Sequence, residues 1–218
     1  MTMKNKSLFY VSTISWMAFV MAVSIAIPIL FRPFYYAHIK PYRLVEESGY
    51  SEQQIKEAYD DMLDFCLFGG DFKTGDMKWS QDGRRHFEDV GKLFRLDFIV
   101  GGIGLAGIII TGLINRGKRP FTVKGHTSQF WRGVYTLVLF VMLGVLGSVN
   151  FSRFFVLFHK VFFPGKTNWI FYPNKDEIIL VLPEEFFRNC AIAIVAILVI
   201  LTVSLIVTEK RRLRRLEA

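Results

Sequence analysis

Apolar and charged positions along the chain fall into long blocks rather than the short alternations of a soluble fold. Four stretches, 7–31, 98–115, 133–152 and 189–208, contain no charged residue. Each is near or above the roughly 20 helical residues that span a hydrocarbon core about 30 Å thick. The second is the shortest, and residues 93–97 extend it at the interface. The pattern predicts spans at 7–31, 93–115, 133–152 and 189–208. The first follows Lys4 and Lys6 as a signal peptide would. Its apolar run is far longer than a signal core, however, and Pro28 stands near any small-residue cleavage point, so it reads as a retained span.

Between the spans the periodicity changes. Ser51 and Gln54 make a capping-box pattern, and Ile55, Tyr59, Met62, Leu63 and Cys66 then recur at helical spacing. Glu57, Asp60, Asp61 and Asp64 take the other side, and Gly69–Gly70 ends the segment. An amphipathic helix of about four turns is predicted, its apolar side resting on membrane or on other loop residues. The stretch around Gly75 and Gly83 reads as a loop leading to His86. Further on, Phe151, Phe154, Phe155, Phe158 and Phe162 form one aromatic stripe, predicted as an outward continuation of the third span. His159 borders the stripe, with Arg153 and Lys160 opposite. Pro164–Gly165 stops this helix, and the segment 169–182 resembles a short β-hairpin.

Charge orients these elements. The N-terminus, residues 116–132 and the C-terminal tail carry twelve basic residues against two acidic ones, whereas residues 32–90 carry eight basic and twelve acidic. By the positive-inside rule both termini face the cytoplasm, and residues 32–90 and 151–188 lie outside. The expected architecture is an all-α membrane protein, one integral domain over residues 1–218, with four transmembrane helices. A small extracellular cap, an amphipathic helix plus the hairpin, completes it. The net charge of +8 is then topological, and no basic folded face invites nucleic acid. The basic tail also suits anionic membrane lipid.

Motifs carry less than they promise. Residues 102–107, GIGLAG, match a dinucleotide fingerprint in letters only; the glycines lie within a span, where they permit close helix packing. Asn150–Ser152 fits a glycosylation sequon beside the end of a span. Two cysteines cannot build a disulfide framework, and Cys66 and Cys190 read as two apolar thiols. Of the four histidines, His126 falls in the inner basic loop and reads as solvated, while His38 stands among aromatic and proline residues outside. His86 and His159 are both on the outer side, one before the second span and one just beyond the third. Taken singly each is an interfacial residue; taken as a pair beside Phe155, Phe158, Phe162, Phe163 and Trp169, they point to proton transfer at the water–lipid boundary. Asp89, three residues after His86 on a helix, can accept a proton from that imidazole and fix its tautomer. Arg84, Arg85 or Arg153 can reach lipid carbonyls. Haem is disfavoured because no histidine lies inside a span, zinc because no ligand spacing is present, and a Cys190 nucleophile because an apolar setting raises a thiol pKa. No metal or cofactor is expected.

The residues His86-Phe-Glu-Asp89-Val, Phe158-His159, Phe162-Phe163, Trp169, Asp176 and Leu182-Pro183-Glu-Glu-Phe-Phe187 resemble the two motifs of the bacterial lipoprotein intramolecular transacylases, Lit. The four-span layout with a cap is similar, and the resemblance runs over nearly the whole chain. It implies a substrate lipoprotein whose N-terminal cysteine bears a diacylglyceryl thioether and a free amine. It also implies transfer of the sn-2 acyl chain to that amine, giving the lyso-form, with His86 and His159 catalytic. Asp89 and Arg153 would support them, and Phe155, Phe158, Phe162, Phe163 and Trp169 would wall the pocket. One histidine can act as base and the other as acid, or one can shuttle both protons while the other stabilises the oxyanion. A non-enzymatic binding or assembly factor, recognising lipid or a partner through its outer cap, is the competing expectation, and a membrane redox protein a distant third.

Overall fold

The computed structural model describes residues 3–116, 122–123 and 126–217, and these are predominantly helical. The helices are α1 (Met3–Leu30), α2 (Arg32–Ile39), α3 (Leu44–Ser48), α4 (Glu52–Phe68), α5 (Gln81–Ile114), α6 (Ser128–Val149), α7 (Phe151–Phe162) and α8 (Glu184–Glu217). Between α5 and α6 the two-residue strands β1 (Thr122–Val123) and β2 (His126–Thr127) pair antiparallel, Thr122 opposite Thr127. Among the described residues three helical stretches are long and apolar enough to cross a membrane: Ser7–Leu30, Gln81–Ile114 and Glu184–Arg211. The expected third span coincides with α6, a helix of 22 residues whose side chains at 128, 143 and 145–149 lie outside those described.

Backbone contacts divide the chain into two compact units. One draws on the stretches Met1–Ile27, Asp97–Leu146 and Ile192–Ala218. Within it, α1 and the second half of α5 approach through small residues. A Cβ at Gly104 would collide with the backbone of Ser15 and Phe19, one at Gly107 with the Ser15 side chain, and one at Gly101 would press on Ala22. This is how GIGLAG is used: its later glycines let two backbones meet where dispersion contacts are the available attraction. Gly133 does the same between α6 and Ile206 of α8. Large apolar side chains such as Ile103, Leu113 and Ile200 remain more than 60% exposed, an arrangement that hydrocarbon, not water, solvates.

The other unit combines Pro28–Leu96 with Gly147–Ala191. Here α4 is the amphipathic helix that the periodicity predicts. Ser51 Oγ accepts from the Gln54 backbone N–H while Gln54 Oε1 accepts from Ser51 N, and Gly69 and Gly70, at φ of 77° and 95°, end the helix. Its apolar side, Ile55, Ala58, Tyr59, Met62, Leu63 and Cys66, packs into a core with Tyr35, Phe72, Phe87, Ile178, Val181 and Phe186. Tyr35 stacks on Tyr59 with ring centres 3.7 Å apart and donates to the Val181 carbonyl at 2.8 Å. The amphipathic helix therefore rests on this core.

Three expectations need correction. Gly83 belongs to α5, which starts at Gln81, rather than to the loop before His86. Gly83 is where the helix passes the Asp176 carboxylate, which a Cβ would strike. Second, α7 does not continue α6. Asn150 adopts an extended backbone, φ −154° and ψ 94°, and its side-chain oxygen caps the new helix by accepting from Arg153 N at 2.9 Å. Third, the hairpin over 169–182 is not formed; the region is turns followed by a 3-10 helix, Glu177–Leu180. Ile178 and Val181, three residues apart, are both buried on one side, which the 3-10 repeat satisfies and a two-residue strand repeat does not. Polar groups hold the segment instead. Asp176 accepts from Ser80 N and Ser80 Oγ at 2.7 and 2.8 Å, and Glu177 accepts from Tyr50 at 2.6 Å and from Lys78 N at 2.8 Å.

Candidate active site

Within the second unit, α5 and α7 bring His86 and His159 together. The two rings lie 5.7 Å apart, centre to centre, inclined at 31°, and both residues are buried. The first half of α5, residues 81–96, carries charged side chains throughout, whereas the uncharged run starts only at Phe98. A helix of 34 residues is about 51 Å long, far more than a hydrocarbon core, so His86 stands outside the spanning part.

Aromatic rings surround the pair. Phe163 meets both imidazoles, at 5.1 Å from His86 and 5.7 Å from His159. Trp169 stacks on His159 at 4.7 Å, and Phe155 approaches it at 4.3 Å. Phe158 meets the edge of His159 at 5.6 Å, its own ring partly exposed. Phe162 is exposed and contacts Phe158, one ring removed from the histidines. Two neighbours escape sequence reasoning, Phe171 at 5.4 Å and Phe87 at 5.6 Å from His86. Phe171 sits in the segment misread as a strand, where its direction was not legible.

The nitrogen atoms differ in their surroundings. His159 Nδ1 lies 2.7 Å from the Phe155 carbonyl, which can only accept, so Nδ1 carries the hydrogen and Nε2 keeps the lone pair in the neutral ring. His86 Nδ1 is buried without a hydrogen-bond partner among the described residues. Burial, which penalises the charged form, lowers the pKa of both. For His86 the nearby His159 and Lys166 lower it further against the opposing effect of Asp89, bringing it to about 4. For His159 burial outweighs the hydrogen bond to Phe155, and the direction is again down. At neutral pH the pair is uncharged.

Asp89 does not bond to His86. Its buried carboxylate accepts from Lys166 Nζ at 2.6 Å, Lys92 Nζ at 3.0 Å and Asn168 Nδ2 at 3.4 Å. These bonds cross an open cleft of about 420 Å³ lined also by Asp82, Arg85 and Glu88. Arg153, six residues before His159 on α7, is exposed on another side of the helix and forms no ion pair among the described residues. His38 is structural: its Nδ1 donates to Phe34 O at 2.6 Å and its Nε2 accepts from Asn189 at 2.9 Å. His126 stacks on Phe130 at 4.1 Å rather than standing free in solvent. Cys66 is a free, buried thiol, pushed up to about 12 by burial, and Cys190 is free as well. Among the described residues no three His, Cys, Asp or Glu side chains converge as metal ligands.

Long apolar helices, together with a buried pair of imidazoles in an aromatic enclosure, define an integral membrane protein of helical class. Residues 10–187 match the lipoprotein intramolecular transacylase Lit family, and the chain belongs to it. The fold is similar to the in meso structure of the membrane integral lipoprotein intramolecular transacylase Lit from Bacillus cereus. That similarity has a TM-score of 0.86 and 26% identity, covering 97% of this chain and 98% of that one. Two variants of the same Bacillus cereus protein, with one histidine replaced by arginine or by alanine, match at TM-scores of 0.81 and 25% identity. They cover 97% of this chain and 94% and 96% of theirs. An uncharacterized protein from Aquifex aeolicus (strain VF5) is 28% identical over 118 residues, which are 54% of this chain and half of that protein's length. The family's name, lipoprotein intramolecular transacylase, implies acyl transfer on lipoproteins.

Proposed function

We propose that this protein moves the sn-2 acyl chain of a diacylglyceryl lipoprotein onto the amine of its N-terminal cysteine, producing the lyso-form. The reading includes four spans, with α6 as the third, both termini cytoplasmic, and residues 32–90 and 151–188 forming an extracellular cap. The observation that carries it is the 5.7 Å approach of His86 and His159 inside an aromatic enclosure. A lipid ester and an amine of the same molecule would meet at such a boundary between oil and water. Such a transfer needs no energy source, because an ester becomes a more stable amide.

Confinement supplies much of the rate. Well-oriented intramolecular reactions gain effective molarities of about 10⁵ M or more. Phe155, Phe163, Trp169 and Phe171 around the imidazoles would fold the lipid head and keep out the water that would otherwise hydrolyse the ester.

Protons move through His159 in this reading. Its tautomer leaves Nε2 free to accept, so as the amine nitrogen bonds to the ester carbonyl carbon, Nε2 takes the amine proton. The tetrahedral oxyanion then collapses, the bond from the carbonyl carbon to the glyceryl oxygen breaks, and the imidazolium returns the proton to that oxygen. His86, whose pKa burial lowers, stays neutral and donates an N–H bond to the oxyanion. Removing such a donor costs about 10²- to 10³-fold in kcat.

Mass spectrometry of lipoprotein N-termini from membranes containing the wild type, His86→Ala or His159→Ala tests the proposal. Both variants are expected to retain the diacylglyceryl form with a free amine. Lyso-form appearing with both variants at the wild-type level removes the mechanism, and its absence with the wild type removes the function.

A further inference from the structure

We propose that Lys166 is a positioning residue for the acyl transfer, acting through its ion pair with Asp89 to hold Trp169 against His159. The inference rests on the function proposed above and adds a residue that neither the motifs nor the aromatic pattern points to.

The geometry is a closed circuit of contacts. His86 and Asp89 share α5, three residues apart, so they ride one turn of a rigid element. After α7 the chain turns at Gly165, whose φ of +74° suits glycine, and Lys166 N donates to Phe163 O at 3.1 Å. From this turn Lys166 Nζ reaches Asp89 Oδ2 at 2.6 Å, and Asn168 Nδ2 donates to the same oxygen at 3.4 Å. The Lys166 carbonyl accepts from Trp169 Nε1 at 3.0 Å. That indole is the ring stacked on His159, inclined at 28°. The path from one imidazole to the other therefore runs His86, Asp89, Lys166, Trp169, His159, and the 5.7 Å ring pair closes it.

Each link has a physical reason to stay. The Asp89 carboxylate is buried, and a buried carboxylate stripped of its partners is costly, so the ammonium is retained although its own side chain is about half exposed. Lys92 alone, bonded to the other oxygen, leaves Oδ2 without its strongest donor. Past the buried Phe163 the turn has little apolar anchorage: residues 164–167 are exposed. Without the ammonium, the segment from Pro164 to Trp169 keeps only the longer Asn168 bond, at 3.4 Å, as its hydrogen-bonded tie to Asp89. The indole then no longer fixes the plane of the His159 ring, which keeps only the Phe155 carbonyl bond. An imidazole held by that bond and by Phe155 and Phe163 but without the indole on its face spends less time aimed at the amine. A loss in kcat follows rather than a loss in binding.

The experiment uses purified full-length protein in detergent micelles, with a dipalmitoylglyceryl-cysteinyl lipopeptide as substrate. Lys166→Met is expected to lower kcat at least tenfold with KM changed by less than threefold, and Lys166→Arg to keep kcat within threefold of the wild type. Trp169 emission, taken as the difference between each protein and its Trp169→Phe counterpart, is expected to rise in intensity and become more accessible to acrylamide in Lys166→Met, but not in Lys166→Arg. If Lys166→Met does not fold, Asp89→Asn is read by the same two measures. Unchanged kcat, or unchanged Trp169 emission with kcat lost, overturns the positioning role. The emission signal needs no turnover. A wild type that shows it while failing to convert the lipopeptide would refute acyl transfer and leave the tether standing.

Discussion

At the scale of single residues, the two imidazoles govern how the protein should respond to pH. Both are buried and have pKa values displaced downward from the ordinary histidine value of ~6.5, His86 to about 4, so both are neutral at pH 7. The substrate amine, with an ordinary pKa near ~7.7–8.0, limits the reaction first. The expected kcat/KM profile rises with pH through the amine's range, whereas kcat for bound substrate holds until the pH falls below ~6.5. Stability carries the same signature. Because the folded pKa of His86 is depressed, the unfolded chain binds the proton first, and stability is lost as pH falls from ~6.5 toward about 4. Thermal melting across that window should show this slope in the wild type and a flatter one in His86→Phe. The presence of the histidine pair was legible in the sequence, since both lie outside the spans and among aromatics. The partner of Asp89 was not. Helical spacing brings Asp89 near His86, but the lysine that claims it comes from a turn 77 residues later, and no local pattern announces such a bond.

Elements were legible where local rules and burial agree. Helix α4 shows it: capping box, apolar side and glycine stop all point one way. Ser51→Ala removes the hydroxyl that accepts from Gln54 N, leaving the Ser51 backbone N–H to Gln54 Oε1 half of the box in place, and is expected to cost about 1 kcal/mol, measured by thermal or denaturant unfolding against the wild type. Reading failed where a tertiary partner outweighed the local signal. Gly83 reads as a loop residue by propensity but is helical, because the Asp176 carboxylate leaves no room for a side chain there. Residues 169–182 have strand-like composition, yet their polar groups find Ser80, Lys78 and Tyr50, residues distant in sequence. The break at Asn150 was hidden for the opposite reason. Helical spacing continues on both sides of it, and only the side-chain cap marks the new start.

At the scale of the whole molecule, uncharged runs identified the membrane character, and the family match over residues 10–187 agrees with the resemblance carried by the histidine and aromatic motifs. What composition could not provide was the join between the two kinds of structure. A single uninterrupted helix, α5, carries His86 and Asp89 at one end and the closely packed Gly101, Gly104 and Gly107 at the other. At the glycine end, within the unit that also holds α1, a Cβ at Gly104 has no room beside the backbone of Ser15 and Phe19, whereas one at Gly112 meets nothing within 4 Å. Gly104→Leu is therefore expected to lower the yield of folded protein while Gly112→Leu leaves it near the wild-type level, and equal yields would show that two backbones need not touch for this bundle to assemble.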